Sequence, residues 1–305
     1  MLDILCMGEP MLEFNQQPPD AEGRVLFLQG HGGDTSNAAI AAARQGARVG
    51  YFTALGADAA GQAFRELWAA ERVDASHVRT DAEAQTGIYF VTHSARGHDF
   101  TFYRGGSAAA RMQPADVPED LCRGVSWLHV SGISQAISAG AADAVFRAIG
   151  LAREAGTRVS YDTNLRLRLW PAARAAAIMH AAIGQSDLAL PSLDDAIALT
   201  GLDEPEAILD FYLKLAPVVV LKVGADGAFA ATREARWRIA PVKVKAVDAT
   251  GAGDCFAGAL LARLCLGDGL RAAATYANRA AALSTQGYGA VAPIPHAADV
   301  RDALP

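Results

Sequence analysis

The chain has 305 residues, 51% hydrophobic and 20% charged, with a formal net charge of −6 and a pI near 5.6. This balance suits one large globular α/β unit. No Lys/Arg run occurs, which argues against a nucleic-acid or anionic-membrane surface and leaves single basic residues to meet any anionic ligand.

Cys6, Cys122, Cys255 and Cys265 are scattered without a CxxC pair, the pattern of reduced thiols in a cytoplasmic protein rather than a zinc site. The start, MLDILCMGEP, lacks the basic region of a signal peptide. No apolar stretch reaches the ~18 residues of a membrane helix. The expectation is a soluble, cytoplasmic protein with no membrane or nucleic-acid partner.

In chain order, residues Gln17–Gly33 are rich in Pro and Gly, with a short strand expected at Val25–Gln29. The run Gly30-His-Gly-Gly-Asp-Thr-Ser-Asn37 then opens a helix over Ala38–Gln45 that stops at Gly46, with Asp34 or Thr35 as the expected N-cap. Gly32 and Gly33 allow close backbone approach, so by itself this run reads equally as a ligand site or as a turn feeding a helix. Residues Thr86–Arg104 carry Tyr89, Phe90, Phe100, Phe102 and Tyr103 around the turn Ser94-Ala-Arg-Gly97, which predicts a β-hairpin.

From there the chain alternates. Strand-like runs at Val125–Val130, Val159–Tyr161, Leu188–Leu190 and Val218–Val223 are separated by helical runs at Ala141–Ala155, Ala172–Ile183, Asp194–Thr200 and Glu204–Leu215. Gly156 and Gly201 are natural helix stops. Such alternation predicts a mostly parallel sheet with helices on both faces. The two strand segments of the N-terminal third fall outside it and predict a small sheet covering a cleft, with no second domain.

The sharpest motif is Val247-Asp-Ala-Thr-Gly-Ala-Gly-Asp-Cys-Phe256, followed by the helical run Ala257–Leu266. Gly251, Ala252 and Gly253 leave helix-start N–H groups open, which suits a phosphate or a developing oxyanion. Asp254 in the same turn is placed to take a proton from an attacking hydroxyl while the amides hold the phosphoryl group. The plain alternative is a first-turn acid complementing the helix dipole. No Lys-Ser/Thr follows, as a Walker A loop needs, and Phe256 stands where a Rossmann fingerprint has its third glycine.

Asp248-Ala-Thr-Gly-Ala-Gly-Asp254 resembles the C-terminal signature of the ribokinase-like (PfkB) carbohydrate kinases. Gly32-Gly-Asp-Thr-Ser-Asn37, continued by Gly46, Leu55-Gly-Ala-Asp58 and Gly61, resembles their N-terminal one. Tyr161-Asp-Thr-Asn164 and Leu221-Lys-Val-Gly-Ala-Asp-Gly227 are similar to two intermediate elements, so the resemblance spans nearly the whole chain, from Met7-Gly-Glu9 to Pro293. Phe102-Tyr-Arg-Gly-Gly-Ser107, Leu128-His-Val-Ser-Gly-Ile133 and Asp162-Thr-Asn-Leu-Arg166 resemble 2-keto-3-deoxygluconate kinases in particular.

The resemblance implies a three-layer α/β/α sandwich over residues 1–305. A small β-sheet lid would be built from about 10–34 and 85–105, and a homo-oligomer would form through it. It implies ATP and Mg²⁺ as cofactors, a sugar or sugar acid as the other substrate, Asp254 as base and Gly251, Ala252 and Gly253 as anion hole. Gly33, Asn37, Tyr89, Tyr103, Arg104 and Arg166 would line the acceptor pocket. Two arginines make chemical sense for a sugar-acid carboxylate, which a guanidinium binds through paired hydrogen bonds. Asn164, Ser192, Lys222, Gly224, Asp226, Gly227 and Asn278 would fall on the ATP side.

Two stretches depart from the family pattern. Ser192-Leu-Asp-Asp195 replaces the usual Asn-x-x-Glu element, so Asp195 would meet Mg²⁺ only through water. Ala290 stands where some 2-keto-3-deoxygluconate kinases place an acid contacting the substrate. A kinase for fructose or ribose, or a non-catalytic sugar- or nucleotide-binding regulator on the same fold, are the competing readings.

Overall fold

The computed structural model describes residues 1–94 and 97–302. The tip of the expected hairpin, Ala95 and Arg96, lies outside the described residues.

The central sheet is laid down by short apolar strands: β1 (Ile4–Met7), β4 (Val49–Phe52), β9 (Trp127–Ser131), β10 (Arg158–Asp162), β11 (Leu188–Leu190) and β12 (Val218–Lys222), with β13 (Ala228–Thr232) and β14 (Arg236–Ile239) at one edge. Their order is β14-β13-β12-β11-β10-β9-β1-β4, parallel from β12 to β4 and antiparallel across β12-β13-β14. The parallel strands read as near-continuous hydrophobic runs because both faces are covered.

Alternate side chains feed two cores, as the period of two along a strand requires. Leu5, Met7, Leu128, Val130, Val219 and Leu221 pack on one face with α4 (Ala139–Glu154), α5 (Ala172–Ile183), α6 (Leu193–Thr200) and α7 (Pro205–Tyr212). Ile4, Cys6, Trp127 and Val220 pack on the other with α1 (Asp34–Arg44), α2 (Ala59–Ala70), α8 (Ala252–Cys265), α9 (Leu270–Ser284) and α10 (Ala297–Asp302). The short α3 (Gly132–Ala136) follows β9. The result is a three-layer α/β/α sandwich.

The segments outside the alternation form a second sheet of β2 (Met11–Gln17), β3 (Leu26–Gly32), β7 (Gly87–Ser94) and β8 (Gly97–Tyr103), in the order β3-β2-β7-β8. A two-stranded ribbon of β5 (Ala54–Gly56) and β6 (Arg79–Asp81) lies between the two systems in sequence. The first helix differs from expectation. It starts at Asp34 after Gly33, whose φ is +108° and where a Cβ would come within 2.6 Å of Glu9 O. Neither Asp34 nor Thr35 is the N-cap; the required backbone turn selects glycine over a capping side chain.

Candidate active site

The C-terminal ends of β9, β10 and β12 face the starts of α1 and α8, the place where an open parallel sheet gathers a ligand site. Gly251, before α8, has φ +75°, and a Cβ there would lie 3.0 Å from Ala290 Cβ and O, so only glycine fits. Asp248 braces the turn: it accepts the Thr250 N–H at 2.9 Å and hydroxyl at 2.6 Å, and the Gly289 N–H at 2.9 Å.

No side chain caps α8. The Ala252 N–H turns back to Ala249 O at 3.2 Å and the Cys255 N–H enters the helical ladder on Gly251 O at 2.8 Å. The amides of Gly253 and Asp254 have no backbone acceptor among the described residues, and they are the donors a helix start offers an anion. A Cβ at Gly253 would meet only Lys222 Nζ, at 3.5 Å. The Lys222 ammonium, held by Asp162 Oδ2 at 2.5 Å, therefore stands beside the open amides and adds a positive charge to them.

Asp254 lies partly buried on the cleft floor. Asn37 Nδ2 donates to its Oδ2 at 2.8 Å and Asn164 Nδ2 to its Oδ1 at 3.4 Å. Asn164 adopts φ +33°, which asparagine tolerates better than most residues, and its amide also reaches Asp34 Oδ2 at 3.3 Å. Burial, followed by the negative charge of Asp34, pushes the Asp254 carboxyl up to about 8, against the opposing Asn37 hydrogen bond. Burial raises Asp34 as well, against the Ser131 hydroxyl and the Thr35 amide. A base poised near neutral pH results.

The expected acceptor-side residues are only partly free. Tyr89 is buried and its hydroxyl donates to Glu13. Arg104 is not an open charge: its Nη2 donates to the buried Glu9, which also accepts from Ser107, while its Nε has no partner among the described residues. Tyr103 is exposed, and its ring meets Phe90 edge-on. Arg166 is exposed and donates to Leu165 O at 2.8 Å, with its charge felt at Asp34.

On the other side, Gly224 and Gly227 bracket a tight turn with φ +60° and +95°, and Asp226 is exposed between them. Asn278 is buried in α9 and donates to Ala240 O at 2.9 Å. Ser192 caps α6 by accepting the Asp195 N–H at 3.2 Å. Asp195 accepts from the Thr163 hydroxyl at 2.7 Å and the Leu165 N–H at 3.1 Å, so it shapes the turn that presents Asn164. Among the described residues no group of three or more His, Cys, Asp or Glu is arranged to hold a metal.

Sequence reasoning missed Glu9 and Glu13 as site residues and treated Asp34 only as a cap. Two acids within the apolar run Met7-Gly-Glu-Pro-Met-Leu-Glu-Phe14 are the signal that could have found the first pair, since carboxylates are rarely buried unpaired.

A model of the pfkB family carbohydrate kinases matches residues 1–297. A 2-dehydro-3-deoxygluconokinase of Thermoproteus tenax is 34% identical over 290 residues, covering 93% of this chain and 88% of the relative. Fructokinase-1 of Oryza sativa subsp. japonica is 31% identical over 313 residues, covering 97% of this chain and 96% of the relative. The crystal structure of fructokinase from Vibrio cholerae O395, in its fructose-, ADP- and calcium-bound form, superposes with a TM-score of 0.88 at 30% identity over 100% of this chain and 99% of that one. No helix among the described residues is long and apolar enough to cross a membrane. With the family match running from residue 1 to 297 on a ribokinase-like fold, the chain belongs to the pfkB family of carbohydrate kinases.

Proposed function

We propose that the chain transfers the γ-phosphoryl group of ATP to a primary hydroxyl of a sugar acid, converting 2-keto-3-deoxygluconate to its 6-phosphate. The observation that carries the reaction type is the single turn holding Asp254 next to the unpaired amides of Gly253 and Asp254, with Lys222 Nζ alongside. Asp254 accepts the hydroxyl proton as the oxygen bonds to phosphorus and the bond to the ADP oxygen breaks. The amides and Lys222 hold the negative charge of the transferred group.

The nucleotide enters over Gly224, Asp226 and Gly227, with Asn164, Ser192 and Asn278 nearby in this reading. Mg²⁺ brought with the triphosphate neutralises phosphate charge. Asp195, whose Oδ2 already accepts from the Thr163 hydroxyl and the Leu165 N–H, would meet such a cation only through water, as suits Mg²⁺, which keeps most of its waters. On the acceptor side, Gly33, Asn37, Tyr89, Tyr103, Arg104 and Arg166 meet the sugar, and the small sheet closes over it to keep water from becoming the acceptor. The outer residues Leu26, Phe27, Leu28, Phe100 and Phe102 of that sheet are exposed, which suits association of two copies through it in the cytoplasm.

The sugar-acid assignment is supported by similarity to the Thermoproteus tenax enzyme and by the exposed guanidinium of Arg166. One observation favours a neutral sugar such as fructose instead: Glu9 already compensates Arg104. An ADP-release assay across 2-keto-3-deoxygluconate, fructose, ribose, adenosine and fructose 6-phosphate tests the proposal. The sugar acid is expected to show the highest kcat/KM, and preference for fructose would replace it.

A further inference from the structure

Asp34 is spent on nothing in the reaction as described, yet it stands against the base. It opens α1, whereas Asp254 belongs to α8, and the Asn164 side-chain amide reaches both carboxylates, at 3.3 Å and 3.4 Å. Two carboxylates brought to one amide repel each other unless one holds a proton. An acid in the first turn of a helix complements the helix dipole, but Asp34 in addition shares the Asn164 amide with the carboxylate of Asp254.

We propose that Asp34 is a positioning residue for phosphoryl transfer, setting the proton-accepting strength of Asp254 through like charge across the shared Asn164 amide. This rests on Asp254 being the base. The charged groups facing the pair are Asp162 and Lys222, which pair with each other at 2.5 Å, and Arg166 on the Asp34 side. Cys6, Tyr51 and Tyr161 near Asp34, and Tyr89 and Cys255 near Asp254, are uncharged thiols and phenols whose titration burial pushes above the ordinary range. Asp34 is thus the negative group beside the base that has no cation of its own at hydrogen-bond distance among the described residues.

The transfer is helped because a carboxylate crowded by a second negative charge takes up the hydroxyl proton more readily. Once that proton arrives, the repulsion between the two side chains is relieved. Asp34 touches neither reacting atom in this scheme and acts through Asp254.

The test is the pH profile of kcat/KM for the best acceptor, at saturating ATP, in wild type and Asp34→Asn. The acid limb should move to lower pH by about 1 unit or more, as removal of an adjacent like charge requires. The high-pH plateau should fall roughly threefold to tenfold as the base weakens, with KM for ATP unchanged. A structural role alone would lower activity without moving the limb, and an unmoved limb overturns the inference. If Asp34→Asn fails to fold, ¹³C carboxyl titration of the wild-type protein, assigned with Asp254→Asn, decides. Two-step curves shared by Asp34 and Asp254 support the pair, and independent single-step curves reject it. Asp254→Asn serves as the separate control: if it keeps turnover, the reading of the base itself has failed, whatever Asp34 does.

Discussion

Asn37 Nδ2 donates to Asp254 Oδ2 at 2.8 Å across 217 residues of sequence, so the acid at the start of α8 is oriented by a side chain of α1. The bond ties the two glycine-rich segments into one site. Replacing Asp254 by Asn keeps the shape and removes the base, so turnover should fall at least ~10²-fold. Steady-state kinetics checks this, with ATP affinity from equilibrium binding expected to stay near wild type. Retention of a tenth or more of the turnover would remove Asp254 from the role of base.

The same residue predicts a pH-dependent stability. Its folded carboxyl titrates at about 8 against an ordinary value of 3.8, so the folded state keeps a proton that the unfolded chain has already lost. The resulting cost to stability is absent below about pH 4, grows as pH rises towards 8 and is complete above it. Asp254→Asn should therefore raise Tm of the unliganded protein at pH 8.5 by about 3 °C or more, and hardly at all at pH 4.5. Calorimetry at the two pH values measures the difference. Wild-type kcat/KM should show an acid limb approaching the same region, falling as pH drops through it.

Gly253 offers a clean probe of the anion site. A Cβ there touches only Lys222 Nζ at 3.5 Å, and the backbone needs no positive φ. Gly253→Val should therefore fold with a near-wild-type melting curve and lose turnover, because the branched side chain covers the amides that a phosphate approaches. Normal kinetics in the folded variant would count against phosphate binding at this turn.

Lys222 pairs with Asp162 in a recessed salt bridge, with side-chain exposures of 13% and 4%. Lys222→Met leaves Asp162 without its cation and should destabilise the protein by about 3–5 kcal/mol, the usual cost of orphaning a buried charge. Adding Asp162→Asn should restore most of that stability. Turnover should stay low in the double variant if the ammonium also serves the phosphates. Denaturant unfolding and kinetics on the same samples separate the two roles.

For the substrate class, the structure changes which arginine is informative. Arg104→Ala strands the buried Glu9 carboxylate, so any loss of activity would mix binding with stability. Arg166 is exposed and donates to its neighbour Leu165 O, so Arg166→Ala is the cleaner variant. If it meets a carboxylate, KM for 2-keto-3-deoxygluconate should rise about 10- to 150-fold and KM for fructose should hardly change, from the worth of a charge-assisted hydrogen bond. Equal effects on both acceptors together with a raised KM for ATP would place Arg166 on the nucleotide instead.

The layers of this fold were legible in the chain because local rules set them: apolar runs of strand length, Ala-rich helical runs, and glycine stops such as Gly201 at φ +73°. The α8 turn was legible for the same reason, since Gly251 at φ +75° and the unpaired amides after it follow from backbone sterics within a few residues. Tertiary structure alone decided the electrostatics. Whether Arg104 is open or paired depends on Glu9, 95 residues earlier, and whether Asp254 is an ordinary acid or a base near neutrality depends on Asp34 and Asn37 arriving from α1. Charge interactions act through space and depend on burial, so no local spacing encodes them; only the packing of α1, β10 and α8 against one cleft does.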